Sequence, residues 1–313
     1  MEITYLQRNE INTQQWDACV GSNINTASLS GMSWYLDSCC KQWDAIIINN
    51  YQSVIPLPYR KKFGIRYVYP PFFAPRLGVM GKEITASTWD DVLTCIGKKF
   101  KWTDMILPPQ TPIHTDNYPC FKNRTYVLDL RHPYDLLCQR YSSNHRRNCK
   151  KAMENQLTFV ENADIDTIIS LFVDNMGKTK EVGYAKKDYN ELKNLIAFLQ
   201  TKDAVEVLGV ADKNGKLCAG AFFTHQFGKY NFLFSGREKT NKEDRSMFFL
   251  IDNFINNHAN NAYDLNFNGS NNDLIARFYA GFGAEESYSC QLYLNNLNSV
   301  ERNIFAALRK IKS

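Results

Sequence analysis

The clearest pattern of apolar and polar positions lies in the second half of the chain. Ile165, Ile168, Ile169, Phe172, Val173 and Met176 recur at the i, i+3, i+4, i+7, i+8, i+11 spacing that lines one face of a helix, and Gly177 stops it. Tyr189, Leu192, Leu195, Ile196 and Leu199 predict a second helix by the same rule. Residues 204–210 and 217–223, joined by a turn at Asn214-Gly215, predict a hairpin, and residues 230–234 add a third antiparallel strand after Gly228.

The next stretch changes character. A polar loop over 235–246 leads into a helix whose apolar face is Met247, Leu250, Ile251, Phe254 and Ile255, followed by a strand at 263–267, a helix at 273–279 and a strand at 288–294. Strand, helix, strand succession demands parallel neighbours, so the sheet must be mixed while staying mainly antiparallel. In the first half, residues 34–37 and 88–98 read as helices, and 45–48 with 53–58 as a hairpin about Asn49-Asn50. Two helices ahead of a meander would repeat the plan of the second half.

Between the halves, strands at 126–130 and 157–160 flank a basic segment, 140–151. That segment is the best boundary candidate and predicts two domains, 1–150 and 151–313.

Composition narrows the class without naming it. The 313 residues, 44% of them hydrophobic and 22% charged, suffice for a large core or two, which excludes disorder and fibres. The longest compact apolar run, 247–251, is far short of the ~18 residues that span a membrane. The first residues lack the basic and apolar regions of a secretion signal, so a cytoplasmic location is expected. Nine cysteines, odd in number and never spaced Cys-x-x-Cys, predict neither zinc nor a disulfide framework, and all nine are read as reduced.

The net charge of +5 is uneven: residues 1–160 carry +6 and residues 161–313 carry −1. Such an excess does not indicate duplex-DNA binding. It suits an anionic ligand such as a phosphate ester or an RNA end.

Candidate chemistry concentrates near the carboxyl end. A strand running into a polar loop and re-entering as a helix exposes the helix's unpaired N–H groups and positive dipole end, where a pyrophosphate binds. Arg237, Lys239, Lys242 and Arg245 add charge there, although only Gly236 supplies the glycine such loops favour and Glu243-Asp244 bring acid beside it. The second segment, 266–284, carries Asn272, Tyr279 seven residues on and Gly283 four further.

That Asn…Tyr…Gly order, set behind the strand, loop and helix, resembles the last helix and turn of the GNAT acyltransferase superfamily. Residues 34–37 with 43–46, 54–62, 141–152 and 267–270 make the resemblance narrower, to the FemAB-like branch, whose members look like two tandem GNAT folds. The resemblance spans nearly the whole chain and implies an α+β protein of two GNAT-like domains, each a mixed, mainly antiparallel sheet flanked by helices.

It also implies roles. Leu233, Phe234 and Ser235 would pair with the amides of an acyl-CoA donor, Arg245, Ser246 and Met247 would offer N–H groups to its phosphates, and Tyr279 would protonate the leaving thiolate. A phenol of ordinary pKa near 10 is a reasonable acid for a thiolate of about 8.5. Asn268 and Ser270 are further catalytic candidates, with a satisfied turn after the strand as the alternative, and Asn266 and Asn268 stand where relatives often carry acids. Asparagine cannot act as a general base, so Glu206, Asp264 or water would have to take the amine's proton.

Arg146, Arg147, Lys150 and Lys151 fall on one face of a short helix opened by Ser142 or Ser143, where they would steer an anionic substrate or a tRNA phosphate; a merely solvated face is the alternative. The five histidines are scattered and no Gly-x-Ser-x-Gly turn occurs, which disfavours metal and serine-hydrolase chemistry. The expected activity is acyl or aminoacyl transfer from acyl-CoA, or from aminoacyl-tRNA, to an amine of a small or cell-envelope precursor acceptor. The rival is a degenerate GNAT pair that only binds.

Overall fold

In the computed structural model, residues 1–62, 64–109, 111–114, 116–176, 185–238, 245–269, 271–299 and 301–302 are described. Gly177, Lys239, Lys242, Glu243, Asp244 and Ser270 lie outside these. The chain forms two compact units, 1–122 with 289–313, and 123–288.

The first unit opens with strand β1 (Ile3–Leu6), helices α1 (Thr13–Gly21) and α2 (Ser33–Cys39), and strands β2 (Trp43–Ile48), β3 (Ser53–Lys62), β4 (Ile65–Val68) and β5 (Met80–Gly81). Helix α3 (Ala86–Lys99) and strand β6 (Trp102–Leu107) come next. The β2/β3 turn is the predicted one, with Asn49, Asn50 and Tyr51 all at positive φ. β4 and β6 run parallel at Tyr67↔Trp102, and the other pairs are antiparallel. The amphipathic face of α3 (Trp89, Val92, Leu93, Ile96) packs on Ile46, Ile48, Ile55 and Leu57, each buried side chain contributing about 1.5–3 kcal/mol.

The second unit holds β7 (Cys120–Asp129), α4 (Tyr134–Gln139), α5 (Ser143–Glu154), β8 (Thr158–Glu161), α6 (Ile165–Asn175), α7 (Lys186–Thr201), β9 (Val205–Ala211), β10 (Leu217–Gln226), β11 (Lys229–Arg237), α8 (Ser246–His258), β12 (Asp264–Asn266) and α9 (Asp273–Ala280). The last strand, β13 (Glu285–Asn295), carries the chain back to the first unit, where Cys290 to Asn295 pair with β6. Within the second unit the strand order is β7-β12-β11-β10-β9-β8, antiparallel except for β11 and β12.

The plan of the second unit repeats that of the first: an edge strand, two helices, three antiparallel strands, a crossover helix and a parallel strand. The compact units do not divide at residue 150. β7 pairs with β12 and α5 packs on α8, so residues 123–154 belong to the second unit.

The two faces of the second sheet are dressed differently. α6 lies against β10 and β11 so closely that a Cβ on Gly220 would sit 2.4 Å from Ile168 Cγ1, and one on Gly236 only 2.2 Å from the Ile168 carbonyl oxygen. On the other face Leu250, Ile251, Phe254 and Ile255 of α8 join Leu128, Phe223, Leu265 and Phe282 in one buried core.

The reading of nine reduced cysteines is corrected. Cys120 and Cys290, 170 residues apart in sequence, are disulfide-bonded with Cα atoms 5.3 Å apart, inside the range a bridge allows. Nothing in their sequence spacing could show it, because the sheet brings them together. The other seven are not disulfide-bonded.

Candidate functional site

The site is built where two parallel strands part. β11 and β12 pair only at Lys229↔Asp264, Tyr230↔Leu265 and Asn231↔Asn266. β11 runs on through Phe232 to Arg237, still paired with β10 on its other side. Its register against β10 slips between Phe222 and Phe223, so Leu233 is an extra, bulged residue. The bulge turns Phe232 toward Phe223 and Phe267, while Phe234 stacks on Phe222 and packs against Phe172 of α6. Of the predicted donor-pairing residues, Phe234 thus commits its side chain to the core, and Leu233 and Ser235 are half-buried.

α8 begins at Ser246, with Arg245 before it in the left-handed region at φ 60°. The first helical bond runs from the Phe249 N–H to the Arg245 carbonyl. The N–H groups of Ser246, Met247 and Phe248 precede it in the first turn. Arg237, half-buried, ends β11, and its carbonyl accepts from Asn175 Nδ2 at 3.3 Å.

Tyr279 meets this splay at its apex. Its ring stacks on Phe267 at 4.9 Å between centroids and 19° between planes, and stands edge-on to Phe232 at 6.1 Å. Phe232 and Phe267 are the first residues of each strand beyond the last paired position. Burial raises the Tyr279 pKa well above the usual phenol value, so the group is protonated throughout the physiological range.

α9 is held in place at both ends. Asn272 accepts at its start from the N–H groups of Leu274 (3.0 Å) and Ile275 (3.4 Å), which gives that motif residue a capping role. At its end, buried His145 of α5 places Nε2 2.9 Å from the Phe278 carbonyl oxygen, and Ser142 N–H donates to the Gly281 carbonyl. A Cβ on Gly281 would lie 1.9 Å from the His145 ring, so only glycine permits that approach. The His145 ring also lies edge-on to Phe248 in the first turn of α8, at 5.0 Å.

Asn266 and Asn268 also sit at the apex. Asn268, at φ 60°, donates its side-chain amide to the Phe232 carbonyl at 3.0 Å, and its backbone N–H donates to Asn266 Oδ1 at 2.8 Å. Both asparagines serve the backbone here. The two carboxylates considered as bases lie elsewhere. Glu206 binds His258 Nε2 at 3.0 Å, and Asp264 is at the closed end of the parallel ladder, 3.9 Å from Arg131.

The basic helix separates into two parts. Ser142 opens it, its Oγ accepting from His145 N–H. Arg146 turns back to donate to the carbonyls of Tyr141 (2.5 Å) and Gln139 (3.3 Å), closing the end of α4. Arg147 and Lys150 are exposed, as Arg146 is, with Arg147 bonded to Asn144 of its own helix.

Sequence reasoning missed His145, whose role depends on α9, 130 residues away in the chain. It also missed Glu286, which accepts from Tyr126 at 2.5 Å and from Tyr288 and whose pKa both phenols lower. Tyr126 in turn packs 6.2 Å from the Tyr279 ring. No group of three or more metal-binding side chains occurs among the described residues, and no described helix is long and apolar enough to cross a membrane.

No protein-family model and no curated protein sequence matches this chain. Solved structures do. FemX shares 14% identity at a TM-score of 0.64 over 94% of this chain and 98% of its own. The C-terminal domain of a lysylphosphatidylglycerol synthetase from Agrobacterium fabrum shares 14% at 0.53, over 96% of each chain. A tandem GNAT protein from the clavulanic acid biosynthesis pathway shares 10% at 0.51, over 95% of this chain and all of its own. The chain shares the fold of these structures, the tandem GNAT protein among them.

Proposed function

We propose that the protein is an N-acyltransferase whose donor lies along the free edge of β11. The observation that carries this reading is the meeting of three features within the second unit: a β11 edge that β12 no longer pairs beyond Asn231, a helix tip at Ser246, and a phenol packed against the first residue of each parted strand. An edge of this kind accepts an extended amide-bearing arm as if it were another strand. The helix tip favours the arm's phosphates.

In this reading a neutral amine attacks the donor carbonyl, and the tetrahedral oxyanion is held by backbone N–H groups near the Leu233 bulge. Collapse expels the thiolate, which takes its proton from Tyr279, and the proton that the attacking nitrogen sheds passes through water to restore the phenol. Most of the rate comes from holding the two reactants in line.

An acyl-CoA thioester is the favoured donor, and aminoacyl-tRNA, delivered across Arg147 and Lys150, is the second. The acceptor is an amine on a small molecule or cell-envelope precursor, handled in the cytoplasm. The similarity to a lysylphosphatidylglycerol synthetase domain supports an aminoacyl group, and that to a tandem GNAT protein, described in its AcCoA-free form, supports the thioester. A non-catalytic binding module is favoured by one feature: the two carboxylates considered as bases lie away from the apex.

Calorimetric titration with a panel of acyl-CoAs, then turnover against amine acceptors, tests the reading. Binding with turnover supports it, binding without turnover selects the binding module, and no binding removes the CoA donor.

A further inference from the structure

We propose that Asn268 is a positioning residue that sets where the donor-binding edge begins, an inference that rests on the donor reading above. The parallel ladder ends at Asn231↔Asn266, so the first β11 carbonyl beyond it is that of Phe232. A donor arm entering the splay would meet this acceptor first. The acceptor is already engaged by Asn268 Nδ2, at 3.0 Å.

Asn268 is itself held from behind. Its backbone N–H donates to Asn266 Oδ1 at 2.8 Å, and the same oxygen accepts from Thr125 Oγ1 of β7 at 3.1 Å. Gly269, at φ 73°, presses so closely on β7 that a Cβ there would fall 1.9 Å from the Arg124 carbonyl oxygen. A line of polar contacts therefore runs from β7 through the end of β12 to β11, at the level where the strands separate. Asparagine suits the position on two counts: it tolerates positive φ, and its amide supplies a donor that a carboxylate lacks.

The Phe232 carbonyl is thereby withheld from the donor, so strand-like pairing starts at Leu233, on the bulge. The separation of the parted ends is also fixed before the donor arrives, and Phe232 keeps its place against Tyr279.

The test uses Asn268→Asp and Asn268→Gly in the full chain. Both accept positive φ and neither can donate to Phe232. Binding of acetyl-CoA and of adenosine 3′,5′-bisphosphate, which lacks the pantetheine arm, is measured by calorimetry for each protein. The expected result is acetyl-CoA affinity lower by about tenfold in both variants, because the donor must then order the parted ends itself, with the bisphosphate's affinity unchanged. Acetyl-CoA affinity within about twofold of wild type, or an equal loss for both ligands, overturns the assignment. Failure of wild-type protein to bind acetyl-CoA overturns the donor reading itself and the assignment with it, an outcome visible before any variant is made.

Discussion

The imidazole of His145 donates from Nε2 to the carbonyl oxygen of Phe278, the residue before Tyr279, across 2.9 Å. Donation from Nε2 leaves Nδ1 to accept from Ser142 Oγ, also at 2.9 Å, so the ring is neutral and fully partnered. A helix-opening turn in the basic segment thereby fixes the turn that carries the phenol.

Replacing His145 by alanine removes a buried donor and leaves a void among Phe248, Phe278 and Phe282, and should cost about 2–4 kcal/mol in chemical denaturation. Burial lowers the His145 pKa below its unfolded value of 6.5. The unfolded chain therefore binds the proton more readily, and His145's contribution is complete above about pH 6.5 and declines as the pH falls toward its folded pKa. The wild-type protein should lose stability over that window by an increment the alanine variant lacks.

Tyr279→Phe keeps the ring that stacks on Phe267 and removes only the hydroxyl. Its melting temperature and donor affinity should match wild type, while turnover falls by about a hundredfold or more, the usual reach of a positioned general acid. Undiminished turnover would take Tyr279 out of the proton transfer.

Arg146 and Arg147 are adjacent but differently employed. Arg146→Ala should lower the melting temperature, because two carbonyls at the end of α4 lose a charged donor. Arg147→Ala and Lys150→Ala should leave it unchanged. If an RNA phosphate docks on this helix, only those two substitutions should flatten the salt dependence of binding.

Cys120 and Cys290 flank the positions at which the chain leaves and re-enters its first unit. Protein unfolded without reductant should titrate seven thiols. Closing a loop this long restricts the unfolded chain by up to about 5 kcal/mol, so reductant should lower the wild-type melting temperature and leave that of Cys120→Ser unchanged.

The elements were largely legible, and the reason is visible in particular residues. The helix over Ile165–Asn175 and the hairpin turned at Gly215 announce themselves because their apolar periods and turn residue, Gly215 at φ 78°, are local properties. The parallel run of β11 and β12 was expected from element order, though not the level at which their pairing ends, at Asn231 and Asn266, which depends on register. What stayed hidden depends on distant partners: the Cys120–Cys290 bridge, His145 beneath Phe278, and the division of the units away from residue 150.

Hydrogen–deuterium exchange with and without saturating acetyl-CoA puts the donor edge to the most direct test. The account predicts slowed exchange in the peptides covering 232–237 and 245–249, with 205–211 unaffected. Protection confined to other segments, or none at a concentration that saturates binding, would contradict it.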